Sequence, residues 1–289
     1  MRTIIICISG KIMRIAGVGL LGCLILVMWA GQAAADDRPF VFAYTTDIEA
    51  QYEKEIEQEL TWASGHAKEG YQAFESRTEL EYGFTDNFQG SLYLNYDWTR
   101  VHPPSESTAT SSLPGISGEF IYRLLNVDFD PIGLALYAEP SIGNGTRSFE
   151  TKLLLQKNFL NDDLRLVLNV NAEDRWEKTE TGSYEKSSAL EFFSGASYSV
   201  TPEWSAGAEF DNERGYEGLI LGGAPHYSDN AYFAGPTIEY VGHPWRVILG
   251  AEAQLPWASD PTHTQGRIQN GYLADAERFR LRLRLSRDF

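Results

Sequence analysis

From about residue 54 to the C-terminus, apolar and polar residues alternate with a period of two. The clearest run is 164–173, where Leu164, Leu166, Leu168, Val170 and Ala172 share one parity and Arg165, Val167, Asn169, Asn171 and Glu173 share the other. The last eleven residues repeat the pattern: Phe279, Leu281, Leu283 and Leu285 against Arg280, Arg282, Arg284 and Ser286. A period of two places alternate side chains on opposite faces of a β-strand. Twelve such segments can be marked, at 55–62, 74–84, 88–98, 116–124, 132–142, 149–156, 164–173, 189–200, 204–211, 231–240, 245–255 and 279–289. Gln58, in the middle of the first segment, and Arg287, near the end of the last, interrupt the apolar parity. Short connections rich in Asn, Asp, Gly and Pro lie near 86, 128, 162, 202 and 243, which are turn compositions. Longer ones fall at 102–115, 176–186, 214–230 and 256–276.

Leu, Phe and Tyr on one face of nearly every strand need a cover. In a soluble sandwich or lipocalin-type barrel a second layer or an enclosed ligand would supply it. In a membrane, lipid does. The pattern therefore predicts an all-β fold, a transmembrane antiparallel up-and-down β-barrel of about 12 strands, each of roughly 10 residues. An even count leaves both chain ends on the side of the short turns. Trp204 and Trp245 follow short turns, and Trp62, Trp98 and Trp176 lie toward the long loops, as two interfacial aromatic belts require. Mean hydropathy is −0.30, and beyond the N-terminus no apolar run is long enough for a spanning helix.

The N-terminus carries Arg2, Lys11 and Arg14, an apolar run from 15 to 30, and Ala33, Ala34 and Ala35 as the small residues of a cleavage site. Residues 1–35 are read as a Sec-type signal peptide. The alternatives are an uncleaved anchor, or a lipoprotein signal at Cys23, which lies inside the apolar run rather than at its end. Both cysteines, Cys7 and Cys23, fall in this segment, so the chain from Asp36 has no thiol. An alternating strand that stops on Phe289 resembles the C-terminal strand of Gram-negative outer-membrane β-barrels. The resemblance implies an outer-membrane location, contact with outer-membrane lipids, short periplasmic turns and longer extracellular loops. It also implies an assembly signal made by Phe279, Leu281, Leu283, Leu285 and Phe289, read by the β-barrel assembly machinery. The expected layout is 1–35 signal peptide, 36–53 periplasmic lead-in and 54–289 barrel.

The polar parity then lines the lumen. Its candidate lining residues are Glu55, Glu57, Glu59, Glu75, Arg77, Glu79, Glu81, Arg123, Arg165, Arg175, Arg246, Glu252, Arg280, Arg282 and Arg284. Closure sets the last strand beside the first, with Arg280, Arg282 and Arg284 expected to face Glu55, Glu57 and Glu59. The net charge is −16, and removing 1–35 takes away three bases and no acid. Such acidity argues against nucleic acid as a partner. An acid-rich lumen favours cations or neutral solutes, although a barrel this narrow can be nearly filled by its own side chains.

Little speaks for catalysis. The five histidines, His66, His102, His226, His243 and His263, lie in predicted loops or turns without metal-ligand spacing. Asn126, Asp128 and Asp130 lack the Gly and closing Glu of a calcium loop. Neither a metal nor another cofactor is expected. His226 with Ser228 loosely resembles the H-x-S of outer-membrane phospholipases, on two residues only. The Glu-rich run of Glu79, Leu80, Glu81, Tyr82, Gly83, Phe84, Thr85 and Asp86 resembles the transporter-like barrels of the phenol-degradation meta-pathway type. The leading expectation is a porin or transporter-like channel for a small solute. The alternatives are a lipid hydrolase or acyl-modifying enzyme, and a non-conducting barrel whose outer loops bind a partner.

Overall fold

The computed structural model describes residues 38–66, 70–102, 108–111, 115–143, 145–223 and 225–289. The expectations placed on residues 1–35, including Cys7 and Cys23, lie outside the described residues. Among the described residues fifteen strands are formed: β1 (Lys54–Ser64), β2 (Gly70–Thr85), β3 (Phe88–His102), β4 (Thr108–Ser111), β5 (Gly115–Leu125), β6 (Gly133–Ile142), β7 (Thr146–Phe159), β8 (Leu164–Lys178), β9 (Tyr184–Ser199), β10 (Trp204–Glu217), β11 (His226–Gly242), β12 (Trp245–Gln254), β13 (Ile268–Gln269), β14 (Tyr272–Leu273) and β15 (Phe279–Asp288). Twelve of them, all but β4, β13 and β14, pair antiparallel with their sequence neighbours, and β15 returns to β1. The sheet is a closed up-and-down barrel with no free edge, so the backbone groups of its wall are paired within it, as hydrocarbon requires.

The apolar parity faces outward throughout. Leu80, Leu92, Tyr122, Leu136, Leu168, Tyr198, Ile238, Leu249 and Leu281 are each roughly half exposed on different strands. A continuous apolar girdle of this extent belongs in lipid. At the turn end it is bounded by aromatics: the Trp204 and Tyr240 rings lie 4.8 Å apart. Arg287 stacks over Trp245 at 5.2 Å, placing its charge at the rim. Gln58, the polar residue on the outward parity of β1, is satisfied locally. It donates to Ser76 Oγ (3.0 Å) and accepts from Thr78 Oγ1 (2.8 Å).

At the loop end the strands run further than the alternation suggested. The expected loop 176–186 shrinks because β8 continues to Lys178 and β9 begins at Tyr184. The expected loop 214–230 shrinks likewise between β10 and β11. These ends stand above the apolar band, where pairing no longer needs an apolar face, so the pattern that marks a strand is missing. Likewise β4 pairs with the upper part of β3, and the long 256–276 connection folds its own hairpin, β13 with β14. That hairpin packs Leu273 onto Phe233 and Ala231.

The seam forms between the expected strands, but its register is shifted by four residues from one that sets the three arginines opposite Glu55, Glu57 and Glu59. Glu59 stands opposite Arg284, Thr61 opposite Arg282 and Ala63 opposite Arg280. Arg284 reaches diagonally to Glu57 (2.5 Å) and Arg282 to Glu59 (3.4 Å). Arg280 does not meet Glu55. It pairs with Glu213 (2.7 Å), Glu277 (3.5 Å) and Glu252 (3.7 Å). The larger departure is at the other terminus. Of the stretch expected as a periplasmic lead-in, 36–53, the described residues from Arg38 to Glu49 enter the barrel and are almost all buried, with Phe40, Val41, Ala43, Thr46 and Glu49 at 0% exposure.

Both partners of the Glu57–Arg284 pair are buried, so removing one strands the other in a dry interior. Arg284→Met is expected to cost about 3–5 kcal/mol in chemical unfolding from lipid vesicles. The double variant with Glu57→Gln should lose much less than the sum of the single changes; strict additivity would show that the pair does not hold the seam.

Candidate functional site

The inserted segment crosses the lumen from the β9–β12 side to the β2–β3 side before joining β1 at Lys54. Its backbone is out of reach of the sheet ladder, so inward side chains take over. Glu209 on β10 accepts three consecutive amides, from Val41 (3.1 Å), Phe42 (2.9 Å) and Ala43 (2.7 Å). Asn169 on β8 accepts from the Tyr44 amide (2.6 Å) and donates to the Tyr44 carbonyl (2.9 Å), as a neighbouring strand would. Gln156 accepts from the Thr46 amide (2.6 Å) and Gln89 from the Glu49 amide (2.7 Å). Buried backbone groups without partners cost about 1–3 kcal/mol each, so these four side chains are what permits a peptide in this place.

Two apolar clusters lock the segment. Phe40, Val41, Phe42 and Ala43 pack with Val167, Phe193 and Ile248, and Tyr44 and Ile48 pack with Ile121, Ala135, Tyr137 and Leu154. Inward glycines provide the room. A Cβ at Gly195 would lie 2.6 Å from the Phe40 ring, and one at Gly250, Gly133 or Gly83 would overlap Val41, Thr46 or the Ala50 carbonyl. Two seam arginines clamp the same segment: Arg284 donates to the Phe40 carbonyl (2.9 Å) and Arg282 to that of Val41 (3.1 Å). The Arg38 guanidinium folds back over the Tyr44 ring at 3.5 Å.

A charged cavity lies on either side of this plug. Toward the loops, a space of about 580 Å³ is lined by Glu75, Asp97, Glu139, Glu150, Glu173, Glu191 and Glu213 with Arg77, Arg175, Arg280 and Arg282. Most of its bases are bound: Arg77 to Glu139 (3.0 Å), Arg175 to Glu173 (3.1 Å) and Arg280 to Glu213. Toward the turns, about 540 Å³ is lined by Asp47, Asp86, Asp128 and Asp162 with Arg123 and Arg165. Acids exceed bases on both sides, and the vestibules are separated by the plug.

The structure thus distributes the candidate lining residues over three levels. Glu75, Arg77, Arg175, Arg280 and Arg282 line the loop-side space, and Arg123 and Arg165 the turn-side space. Glu55, Glu57, Glu59, Glu79, Glu81, Arg246, Glu252 and Arg284 are buried in the wall around the plug. Phe279, Leu281, Leu283, Leu285 and Phe289 lie on the outward parity of β15 and at its end, with the Phe289 amide bonded to the Lys54 carbonyl (3.1 Å). Carboxylate oxygens of Glu49, Glu55 and Asp288, and of Glu55, Glu57 and Glu81, come within 4.8 Å of one another; Arg284 enters the second group through Glu57. The Ser228 hydroxyl donates to Asp229 Oδ2 (2.5 Å) rather than to His226, which is exposed at the start of β11.

Alternation alone missed the plug. Its signal was present in the unbroken apolar run Phe40, Val41, Phe42, Ala43 and Tyr44, out of place in a solvated lead-in, and in glycines on the inward parity of β2, β6, β9 and β12. If those glycines are notches, Gly250→Val should drive the plug out. Ala43→Cys alone should resist a water-soluble maleimide in the folded protein, and should label readily once Gly250→Val is added. Equal protection in both would refute the notch.

The fold is shared with solved outer-membrane barrels. The COG4313 outer membrane channel from Pseudomonas putida F1 aligns with a TM-score of 0.59 at 12% identity, over 86% of this chain and 100% of that one. The NanC porin aligns at 0.53 with 11% identity, over 81% of this chain and 100% of that one. Identities this low speak to the fold alone. No curated protein sequence matches the chain. Residues 32–289 match the profile of DUF6662, and the chain belongs to that family of unknown function.

Proposed function

We propose that the protein is an outer-membrane channel for a small solute, closed at rest by its own N-terminal segment. The observation that carries this reading is the pairing of two acid-rich vestibules, about 580 and 540 Å³, with a fitted plug between them. A barrel built only as a solid post would need neither space. The likeness to an outer-membrane channel and a porin supports the same reading. In it, residues 1–35 direct export, the short turns face the periplasm, and the β15 residues ending in Phe289 deliver the chain to the assembly machinery. Kinship with the transporter-like barrels of the phenol-degradation meta-pathway type belongs to this proposal too.

Passage requires the plug to shift, and the acid excess on both sides then favours cations or neutral solutes over anions. A non-conducting barrel with partner-binding loops is the second reading, favoured by the plug itself. The hydrolase reading has only Ser228 and His226, and Ser228→Ala should leave any lipid hydrolysis unchanged.

Planar-bilayer recording separates the first two. The parent should be silent or open rarely. A variant lacking 38–50, with barrel folding checked by heat-modifiable migration, should give discrete steps with cation preference in a salt gradient. A folded deletion variant that stays silent would favour the non-conducting barrel.

A further inference from the structure

The outward face of the barrel carries a second feature, at the loop end of β7, β8 and β9. By register, Arg147 stands opposite Trp176, Trp176 opposite Lys186, and Lys178 opposite Tyr184. These five share the outward parity of their strands, just above the apolar band. Arg147, Lys178, Tyr184 and Lys186 are exposed. Arg147, Trp176 and Tyr184 line a crevice of about 300 Å³, and the Arg147 guanidinium lies 5.6 Å from the Tyr184 ring centroid.

The chain has a net charge of −16, yet among the described residues no acid opposes this patch. Glu177 and Glu185, directly opposed to each other, fall on the other parity and face the mouth. Asp174, the next outward position below Trp176, is 2% exposed. Its carboxylate is occupied by the amides of Ile220 (2.8 Å) and Leu221 (3.1 Å), which fold over it. Glu180 lies in the tip between β8 and β9. The lipid-facing rim therefore presents three cations set among two aromatics.

We propose that this patch binds the phosphate of an anionic glycolipid of the outer leaflet. Arginine suits phosphate through its planar fork. Lysines near a membrane surface add electrostatic attraction. Trp and Tyr seat at the headgroup level. The proposal rests on the outer-membrane reading above, with the long loops outward, but not on conduction.

The test uses the full chain folded in neutral detergent. Binding of a phosphorylated glucosamine-disaccharide lipid, and of the same lipid after enzymatic dephosphorylation, is read by native mass spectrometry. The parent should prefer the phosphorylated form. The variant Arg147→Ala/Lys178→Ala/Lys186→Ala should bind it about tenfold more weakly or worse, the scale expected for losing several cations near the headgroups. It should bind the dephosphorylated form like the parent. Lys157→Ala, at the opposite rim, should change nothing. Where the triple variant fails heat-modifiable folding, Lys186→Ala, an exposed single change, carries the comparison with a smaller loss. Undiminished binding, equal loss in Lys157→Ala, or no preference for phosphate in the parent would each overturn the assignment. Single-channel behaviour is recorded separately, so failure here leaves the channel reading standing, and failure there leaves this one.

Discussion

Two guanidinium groups on the last strand hold both halves of the structure together. Arg284 binds Glu57 across the seam and also the Phe40 carbonyl, while Arg282 binds Thr61 Oγ1 (2.8 Å), Glu59 and the Val41 carbonyl. The closing seam and the seated plug therefore share the same two cations. A guanidinium has five donors and a fixed planar shape, so a single arginine can satisfy a carboxylate on its neighbour strand and a carbonyl in the lumen. Lysine in either position could not reach both in that geometry. Glu209 on β10, three strands from β15, finishes the design, because a negative charge there needs donors and the plug backbone offers three.

The segment is held by forces that nearly balance. Each buried Phe, Val or Ile contributes about 1.5–3 kcal/mol over exposure to water, while each ordered residue costs about 1–2 kcal/mol in backbone entropy. Neither wins by a wide margin over a stretch this short. The side-chain bonds from Glu209, Asn169, Gln156 and Gln89 therefore tip the balance toward insertion. A modest change at one of them, or a competing solute in the vestibule, can then shift the population of the inserted state. A plug held in this way suits a gate better than a permanent core does.

The barrel was legible in the sequence because a strand in lipid has a strict period of two. Its twelve segments, their order, the closing pair and the outward Leu and Tyr positions all follow from that one rule. What lay beyond the band was harder. The strand ends around Trp176 to Tyr184 and Arg214 to Asn230 have no apolar parity to mark them, and the seam slid by four residues because parity fixes the face but not the register. The segment from Arg38 to Glu49 escaped for a different reason. A peptide inside a barrel has no ladder and no period, and its partners, Glu209 and Asn169, are far away in sequence. Only the run of apolar residues and the inward glycines hinted at it.

The central claim is that this segment closes the lumen and that its release opens it. The most direct measurement is single-channel recording of the double variant Val41→Cys/Gly250→Cys, whose partners touch in the closed state, in a chain that carries no other cysteine after residue 35. The account predicts a silent bilayer when the pair is oxidised and discrete openings when it is reduced, in one protein preparation. Equal conductance in both states would contradict it.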